Sequence, residues 1–255
     1  MENVDFGDTA GDYARHRAGF PEEFFGAMFE TGLAAPGMRL LDLGTGTGSL
    51  ARGFAARGCR VTGLDPSAEL LAQAARLAID AALEIEWAEG SAEKTGLAGG
   101  AFDIVTAGQC WHWFNAAAAA GEVRRLLKPG GRVIIAHFDW LALTGNMVAA
   151  TEALIEEHNP AWTLGGGDGR HPGWRSHLQG AGFAQFNETE FDIDVVYSHQ
   201  DWLGRIRASA GVGGSLPPSD VAAFNQAHAA LLQADFPEDP PAIPHRVWWL
   251  TALKL

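Results

Sequence analysis

Short apolar runs alternate with amphipathic stretches along the first half of the chain. The apolar runs predict buried strands at 38–43, 60–64, 83–87, 102–107 and 132–138. Helical spacing predicts helices at 48–57 and 68–79, with Ser67 in position to cap the second, and a further helix that ends at 127 before KPGG. Strands alternating with helices at this spacing predict a doubly wound α/β fold, a mostly parallel sheet covered on both faces.

After residue 139 the regular alternation of predicted strands and helices ends. Helices are predicted at 148–158, 174–178, 199–208 and 218–234, and residues 183–196 alternate apolar with polar as an antiparallel strand does. A final apolar run, 247–255, predicts another strand. The pattern therefore predicts an antiparallel C-terminal hairpin at the sheet edge and helical insertions that form a lid.

The first predicted strand runs into a glycine-rich loop, LLDLGTGTGSL at 40–50. A Walker loop needs Lys and then Ser or Thr after its last glycine, and Ser49-Leu50 follows here. The dinucleotide pattern is G-x-G-x-x-G, whereas this loop reads G-x-G-x-G. Asp42, just before the first glycine, suits a positively charged ligand better than a pyrophosphate. An ordinary tight turn is the alternative interpretation.

Asp65 ends the second predicted strand. In open parallel sheets, ligands bind over the carboxyl ends of the strands, where a carboxylate can accept hydrogen bonds from both hydroxyls of a ribose. Alternatively, Asp65 only starts the turn before Pro66. Together with Asp42 and the glycines, Asp65 favours a ligand that contains a ribose and lacks a pyrophosphate.

Composition narrows the class of protein. The 255 residues carry 18 Lys and Arg against 31 Asp and Glu, a formal net charge of −13 that disfavours nucleic acid as a partner. The sequence MENVDFGDTAGDY has no signal-peptide pattern, and no run of about 20 apolar residues predicts membrane insertion. Two distant cysteines predict neither disulfides nor a thiolate metal site, so a cytoplasmic protein is expected.

Several segments in the same order resemble a known family: LLDLGTGTGSL, VTGLDPS, AEGSAEKTGL, FDIVTAGQCWHWF and RLLKPGGRVII. They resemble class I S-adenosylmethionine-dependent methyltransferases. YARHRAGFP and WHWF are most similar to the small-molecule type that includes trans-aconitate methyltransferase-like proteins. The resemblance implies a seven-stranded Rossmann-like methyltransferase fold, S-adenosylmethionine as cofactor and S-adenosylhomocysteine as product.

The resemblance also implies a set of cofactor-binding positions. The methionine part would lie against the glycine loop, the ribose on Asp65, and the adenine beside the residues that follow the second and third strands. Arg17, in a segment folded over the cofactor, would pair with the methionine carboxylate. The complete expected set is Tyr13, Arg17, Asp42, Gly44, Thr45, Gly46, Asp65, Pro66, Ser67, Ser91, Ala92, Glu93, Gln109 and Trp111.

The stretch QCWHWFN places His112 between two tryptophans at the end of the fourth strand. Indole rings stabilise a sulfonium by cation–π attraction and exclude water, so Trp111 and Trp113 are predicted to line the pocket, Trp113 on the substrate side. His112 is a candidate general base, because an imidazole titrates near neutral pH. A packed aromatic turn with a hydrogen-bonded histidine is the alternative.

The second candidate stretch is HQDWLGRIRASAGVG, 199–213. Trp202, Arg205 and Arg207 are candidate substrate-binding residues, since one arginine could hold an anionic group; surface ion pairs are the alternative. The two arginines face different directions on a helix. The histidines at 158, 171, 177 and 199 lack the spacing of a metal site, so no metal is expected.

The resulting hypothesis is methyl transfer from S-adenosylmethionine to an O, N or C nucleophile of a small molecule by a monomer or homodimer. A nicotinamide-dependent oxidoreductase and a non-catalytic S-adenosylmethionine-binding protein are the alternatives. One methyltransferase domain, 1–255, is expected, with a helical cover (1–35), a cofactor-binding core (36–139), lid segments (140–182 and 198–244) and C-terminal strands (183–197 and 247–255).

Overall fold

The computed structural model describes residues 19–255. Its strands are β1 (Arg39–Leu43), β2 (Arg60–Asp65), β3 (Ile85–Glu89), β4 (Phe102–Gly108), β5 (Leu127–Trp140), β6 (Phe183–Val196) and β7 (Ala242–Lys254). They form one seven-stranded sheet in the order β3-β2-β1-β4-β5-β7-β6, mostly parallel, with an antiparallel C-terminal hairpin. The predicted fold class is confirmed.

The strand order changes direction at β1. The chain adds β2 and β3 on one side of β1 and then crosses to β4 on the other, and all four of these neighbouring pairs from β3 to β5 are parallel. In the register, Leu43 lies opposite Leu64 on β2 and Ala107 on β4. The loops after β1, β2 and β4 therefore leave the sheet at the same edge, where open α/β sheets bind their ligands.

Eight α-helices accompany these strands in the described part of the chain. They are α1 (Glu22–Glu30), α2 (Ser49–Ala55), α3 (Ala68–Asp80), α4 (Ala116–Leu126), α5 (Met147–His158), α6 (Trp174–Gly180), α7 (His199–Arg207) and α8 (Pro218–Asp235). Ser67 caps α3 as predicted, since its hydroxyl accepts from the Leu70 amide at 3.2 Å. Asn115, Asn146 and Ser198 cap α4, α5 and α7 in the same way.

Strand boundaries differ from the predictions at three places. β3 lies two positions further along the chain than predicted, at Ile85–Glu89. β5 begins at Leu127, so KPGG, predicted as a turn, lies within the bounds of the strand, at a register shift in its pairing with β4. β7 begins at Ala242, well before the apolar run. Its first residues alternate between buried and more exposed positions, so they leave no continuous apolar signal in the sequence.

The described chain divides into two compact units. The sheet unit comprises Gly19–Phe138, His171–Phe191 and Val247–Leu255. The inserted unit comprises Asp139–Arg170 and Asp192–Arg246, which overlaps much of the predicted lid. The described part of the predicted N-terminal cover contains α1, whose Phe24, Phe25 and Met28 are buried within the sheet unit.

The inserted unit has a hydrophobic core of its own. Helices α5, α7 and α8 supply most of it, including Ile155, Ile206 and Phe224. Thr151 and His228 are both fully buried in it, and the Thr151 hydroxyl lies 3.1 Å from Nε2 of His228. Burial lowers the pKa of His228 to about 4, because the imidazolium form would lose its hydration.

Acid should therefore destabilise the inserted unit. The pKa of His228 is lower in the folded protein than the ordinary 6.5, so its contribution is complete above pH 6.5 and is lost as the pH falls toward 4. From pH 7 to pH 5 this single group is expected to cost about 2 kcal/mol of unfolding free energy. Urea unfolding of the protein and of His228→Gln at both pH values measures it.

The variant should lose about 2 kcal/mol less than the parent protein between the two pH values. Asp42 and His245 also titrate with shifted pKa values, but they are present in both proteins and cancel in the difference. Equal losses would mean that His228 binds its proton in the folded protein as readily as in the unfolded chain.

Candidate functional site

A buried carboxylate organises the loop after β1. Asp42 is 1% exposed, and its two oxygens accept hydrogen bonds from the hydroxyls of Thr45, at 2.6 Å, and Thr106, at 2.7 Å. Burial raises the pKa of Asp42 to about 6, and the two hydroxyl bonds offset part of that rise. Asp42 thus joins the glycine loop to β4 while keeping a carboxylate directly beneath it.

The glycines of this loop have two different tasks. Gly44 has φ +59°, and a Cβ placed on it would lie 2.9 Å from the Cys110 sulfur, so the loop packs against the end of β4 there. Gly46 has φ +55°, and a Cβ on it would meet nothing within 4 Å. Only glycine adopts such conformations readily. The backbone at Gly46 therefore lies beside open space that a ligand can occupy.

Asp65 joins the loop after β2 to Gly46 of the glycine loop. Its Oδ2 accepts from the Gly46 amide at 2.8 Å, and its Oδ1 accepts from the Ser67 amide at 3.0 Å. The side chain is 6% exposed, and burial raises its pKa above the ordinary range. The charge of Asp65 also contributes to the raised pKa of Asp42. Two neighbouring buried carboxylates give this edge a negative potential.

The loops after β2 and β3 flank the glycine loop. Pro66 is exposed and Ser67 is half-buried at the start of α3. After β3, Ser91 is exposed and Ala92 is buried. Glu93 accepts a hydrogen bond from the Asn115 amide at 2.9 Å, which ties this loop to the start of α4.

The loop after β4 begins with a residue in an unusual backbone conformation. Gln109 has φ +57°, its amide donates to the Ala136 carbonyl at 2.9 Å, and its side-chain amide donates to the Phe138 carbonyl. Trp111 opens a short 3-10 helix and is 1% exposed, with its indole N–H donating to Nδ1 of His177 at 3.3 Å. Trp111 is therefore held in place by the packed part of this loop, and its predicted cofactor contact stays a prediction.

Three histidines lie side by side within the sheet unit. The ring centres of His112 and His137 are 5.4 Å apart, and those of His137 and His171 are 4.3 Å apart. Indole rings adjoin both ends: Trp113 lies 4.5 Å from His112, and Trp174 stacks on His171 at 4.1 Å with an interplanar angle of 7°. We call His112, His137 and His171 the histidine row.

The sequence alone indicates no site at His171, which is one of its scattered histidines, and none at His137. His137 could have been found, because it is a polar residue in the apolar run RVIIAHF, close to the end of β5 that lies beside the end of β4. His171 could not, since it follows a glycine-rich segment with no strand or helix pattern to place it.

The loops of this site lie in a span that matches a known family. Residues 41–135 match the model of a family described as a methyltransferase domain, a span that includes the glycine loop, Asp65 and His112. We call this matched span, residues 41–135, the methyltransferase domain.

Known proteins similar to this chain carry related names. An uncharacterized methyltransferase of Mycobacterium tuberculosis is 37% identical over 131 residues, which cover 51% of this chain and 51% of that protein. Demethylmenaquinone methyltransferase of Thermus thermophilus is 40% identical over 103 residues, 39% of this chain and 47% of that protein. The aligned region thus spans about half the length of these curated relatives.

A solved structure extends the fold comparison beyond the methyltransferase domain. Phosphoethanolamine N-methyltransferase 2 of Haemonchus contortus, in complex with phosphomonomethylethanolamine and S-adenosylhomocysteine, has a TM-score of 0.59 and 19% identity. The match covers 100% of this chain and 60% of that one. At this identity the likeness shows the fold alone.

Three predicted substrate contacts lie outside the methyltransferase domain, on α7 of the inserted unit. Trp202 is fully buried in the core of that unit, and its indole N–H donates to the Thr151 hydroxyl at 3.2 Å. Its assignment as a substrate contact is therefore corrected to a core role. Arg205 is half-buried with its guanidinium 4.6 Å from the centre of the Trp140 ring, and Arg207 is also half-buried.

Two further predictions lie outside the described residues. Tyr13 and Arg17, which precede the methyltransferase domain, belong to the segment before residue 19. None of the helices within residues 19–255 has the length and apolar character that a membrane-spanning helix requires.

Proposed function

We propose that the methyltransferase domain binds S-adenosylmethionine over the carboxyl ends of β1, β2 and β4 and transfers its methyl group to a small molecule. The observation that carries this proposal is the pair of buried carboxylates, Asp42 and Asp65, around the open face of Gly46. A ribose with a cationic amino-acid end and no phosphate complements such a negative edge. A pyrophosphate would be repelled by it.

The proposed contacts follow the order of the loops. Thr45 and Gly46 hold the methionine end, and Asp42 acts on it mainly through the loop that it organises. Asp65 accepts hydrogen bonds from the ribose hydroxyls. The remaining proposed contacts, around the adenine and the methionine, are Gly44, Pro66, Ser67, Ser91, Ala92, Glu93 and Gln109, with Tyr13 and Arg17 from the segment before residue 19.

The chemical demand on the protein is modest. When bound, S-adenosylmethionine supplies a methyl group already activated by the positive sulfonium. The chain therefore has to orient a nucleophile in line with that methyl group and exclude water. A general base is needed only for a nucleophile that keeps its proton at neutral pH, and His112, after β4, is the proposed group for that task.

The acceptor is proposed to be a small molecule attacked through O, N or C. A similar protein, the demethylmenaquinone methyltransferase, is named for a quinone, and the aromatic side chains near His112 are compatible with a ring-shaped acceptor. Membership of the trans-aconitate methyltransferase-like subgroup rests on YARHRAGFP and WHWF and stays a prediction, as do the cytoplasmic location, the absence of a nucleic-acid partner and the monomeric or homodimeric state.

Calorimetric titration tests the cofactor. We expect S-adenosylhomocysteine to bind and NAD not to bind, because a pyrophosphate would face Asp42 and Asp65. Binding of NAD alone would identify an oxidoreductase and contradict the proposal. Incubation with an extract and S-adenosylmethionine labelled in its methyl group, followed by mass spectrometry, then separates an enzyme from a non-catalytic binding protein, since only the enzyme yields a labelled product.

A further inference from the structure

We propose that the histidine row and its indole neighbours form the acceptor subsite, and that the acceptor is a hydroxyl carried on an aromatic ring. This inference rests on the proposed function, because it names the substrate class for the same reaction. Four side chains carry it beyond His112: Trp113, His137, His171 and Trp174.

The position of the row suits an acceptor. His112 follows the end of β4, and His137 lies near the end of the neighbouring parallel strand β5, one residue beyond Ala136, which pairs with Gly108. Both histidines thus lie at the edge of the sheet from which the Gly44–Gly46 loop also leaves. A molecule on the row is therefore on the side of the sheet where the methyl donor is proposed to bind.

The shape of the row favours a ring-shaped acceptor. Trp174 contacts His171 by stacking and also contacts His137, with ring centres 4.8 Å apart, while Trp248 lies 5.5 Å from His171. His112 and His171 are half-buried, whereas His137 between them is 4% exposed. Aromatic rings thus adjoin both ends of the row, and aromatic side chains are typical of sites that bind flat apolar molecules.

The imidazoles select among acceptor groups. A carboxylate is already ionised at neutral pH and needs no base before it attacks a methyl group. A phenolic hydroxyl, with a pKa of about 10, retains its proton and is a poor nucleophile until that proton is removed. An imidazole is the side chain best matched to accept a proton at neutral pH. A row of imidazoles therefore points to a hydroxyl acceptor.

The proposed step balances as follows. The acceptor oxygen forms its bond to the methyl carbon as the carbon–sulfur bond of the donor breaks, and the sulfonium becomes a neutral thioether. The hydroxyl proton passes to an imidazole nitrogen of His112 and then leaves to solvent. His137 and His171 are positioning residues: His137 meets the His112 ring in a T-shaped contact, and His171 packs against His137, so together they limit how the His112 ring can turn.

A series of substituted phenols tests the proposal, with hydroxyl pKa values that run from near neutral to about 10, as in tyrosine. The assay measures labelled methyl transfer to each phenol by the purified protein and by His112→Ala. We expect the variant to lose about a hundredfold in kcat on phenols that are not ionised. On a nitrophenol that is already ionised at the assay pH it should lose less than about fivefold, because no base is then needed.

The positioning residues have their own test. His171→Gln should lower kcat about tenfold on the unionised phenols and leave the ionised one nearly unchanged, a selectivity that a merely structural defect would not produce. His158→Gln, a histidine of the inserted unit, is the matched control and should match the parent protein on every acceptor.

The possible failures are distinguishable. If S-adenosylhomocysteine does not bind the parent protein, the proposed function fails and this inference falls with it. If it binds but labelled methyl groups reach only carboxylates or amines, this inference alone is overturned. Equal losses by His112→Ala on ionised and unionised phenols would overturn it as well, since they would show that the row does not take the proton.

Discussion

Replacing Asp65 by alanine is expected to weaken the binding of S-adenosylhomocysteine by more than tenfold, or about 1.4 kcal/mol. The carboxylate is the proposed acceptor for two ribose hydroxyls, and removing it leaves buried donors unsatisfied in the complex. It also accepts from the Gly46 and Ser67 amides, so its loss releases the loop that faces the ligand. Isothermal titration calorimetry measures the change.

Two comparisons make the Asp65 result specific. Asp65→Asn keeps the shape and one acceptor oxygen, so its affinity should lie between those of the parent protein and the alanine variant. Asp80→Asn removes an exposed carboxylate from the far end of α3 and should leave the affinity unchanged. If the alanine variant is folded and binds as tightly as the parent protein, the ribose does not lie on Asp65.

Trp202→Ala should lower the free energy of unfolding by about 3–5 kcal/mol, the usual cost of removing a large buried aromatic side chain. The ring is fully buried and contacts the rings of Trp140 and Tyr197, each with centres 5.5 Å away. Urea denaturation followed by circular dichroism measures the loss without relying on tryptophan fluorescence.

Trp202→Phe is the matched variant. It keeps most of the apolar volume and loses the hydrogen bond to Thr151, so it should cost clearly less than the alanine variant. The original hypothesis of a substrate contact predicts a different outcome, namely a protein of unchanged stability whose KM for its acceptor rises. That result would contradict the core role assigned here.

The cofactor half of the molecule was largely predictable. Apolar runs define β1, β2 and β4 within a residue or two, since strands buried on both faces leave a continuous signal in the sequence. The glycine loop and Asp65 follow those strands directly, so a correct strand places its functional end as well. The residue types of KPGG favour a turn, and in the structure the segment lies within β5 at the register shift between Leu127 and Arg132 in the pairing with β4.

The substrate half was not predictable in the same way. A tryptophan in an amphipathic helix has the same local pattern whether it contacts a ligand or fills a core, and only the packing around Trp202 distinguishes the two. His171 lies far along the chain from His112 and His137, so only the completed fold brings the three imidazoles together. Contacts between residues that are far apart in the chain produce no periodic pattern in a single sequence.

The position of β7 between β5 and β6 has a consequence for the order of events during synthesis. β6 leaves the ribosome before β7 but is joined to the rest of the sheet only through it. Until β7 emerges, the edge of β5 remains unpaired and β6 has no neighbour in the sheet, which exposes both to pairing with other chains. Completion of the sheet is therefore a late, long-range event, and a nascent chain that stops short of β7 is a natural client for chaperones.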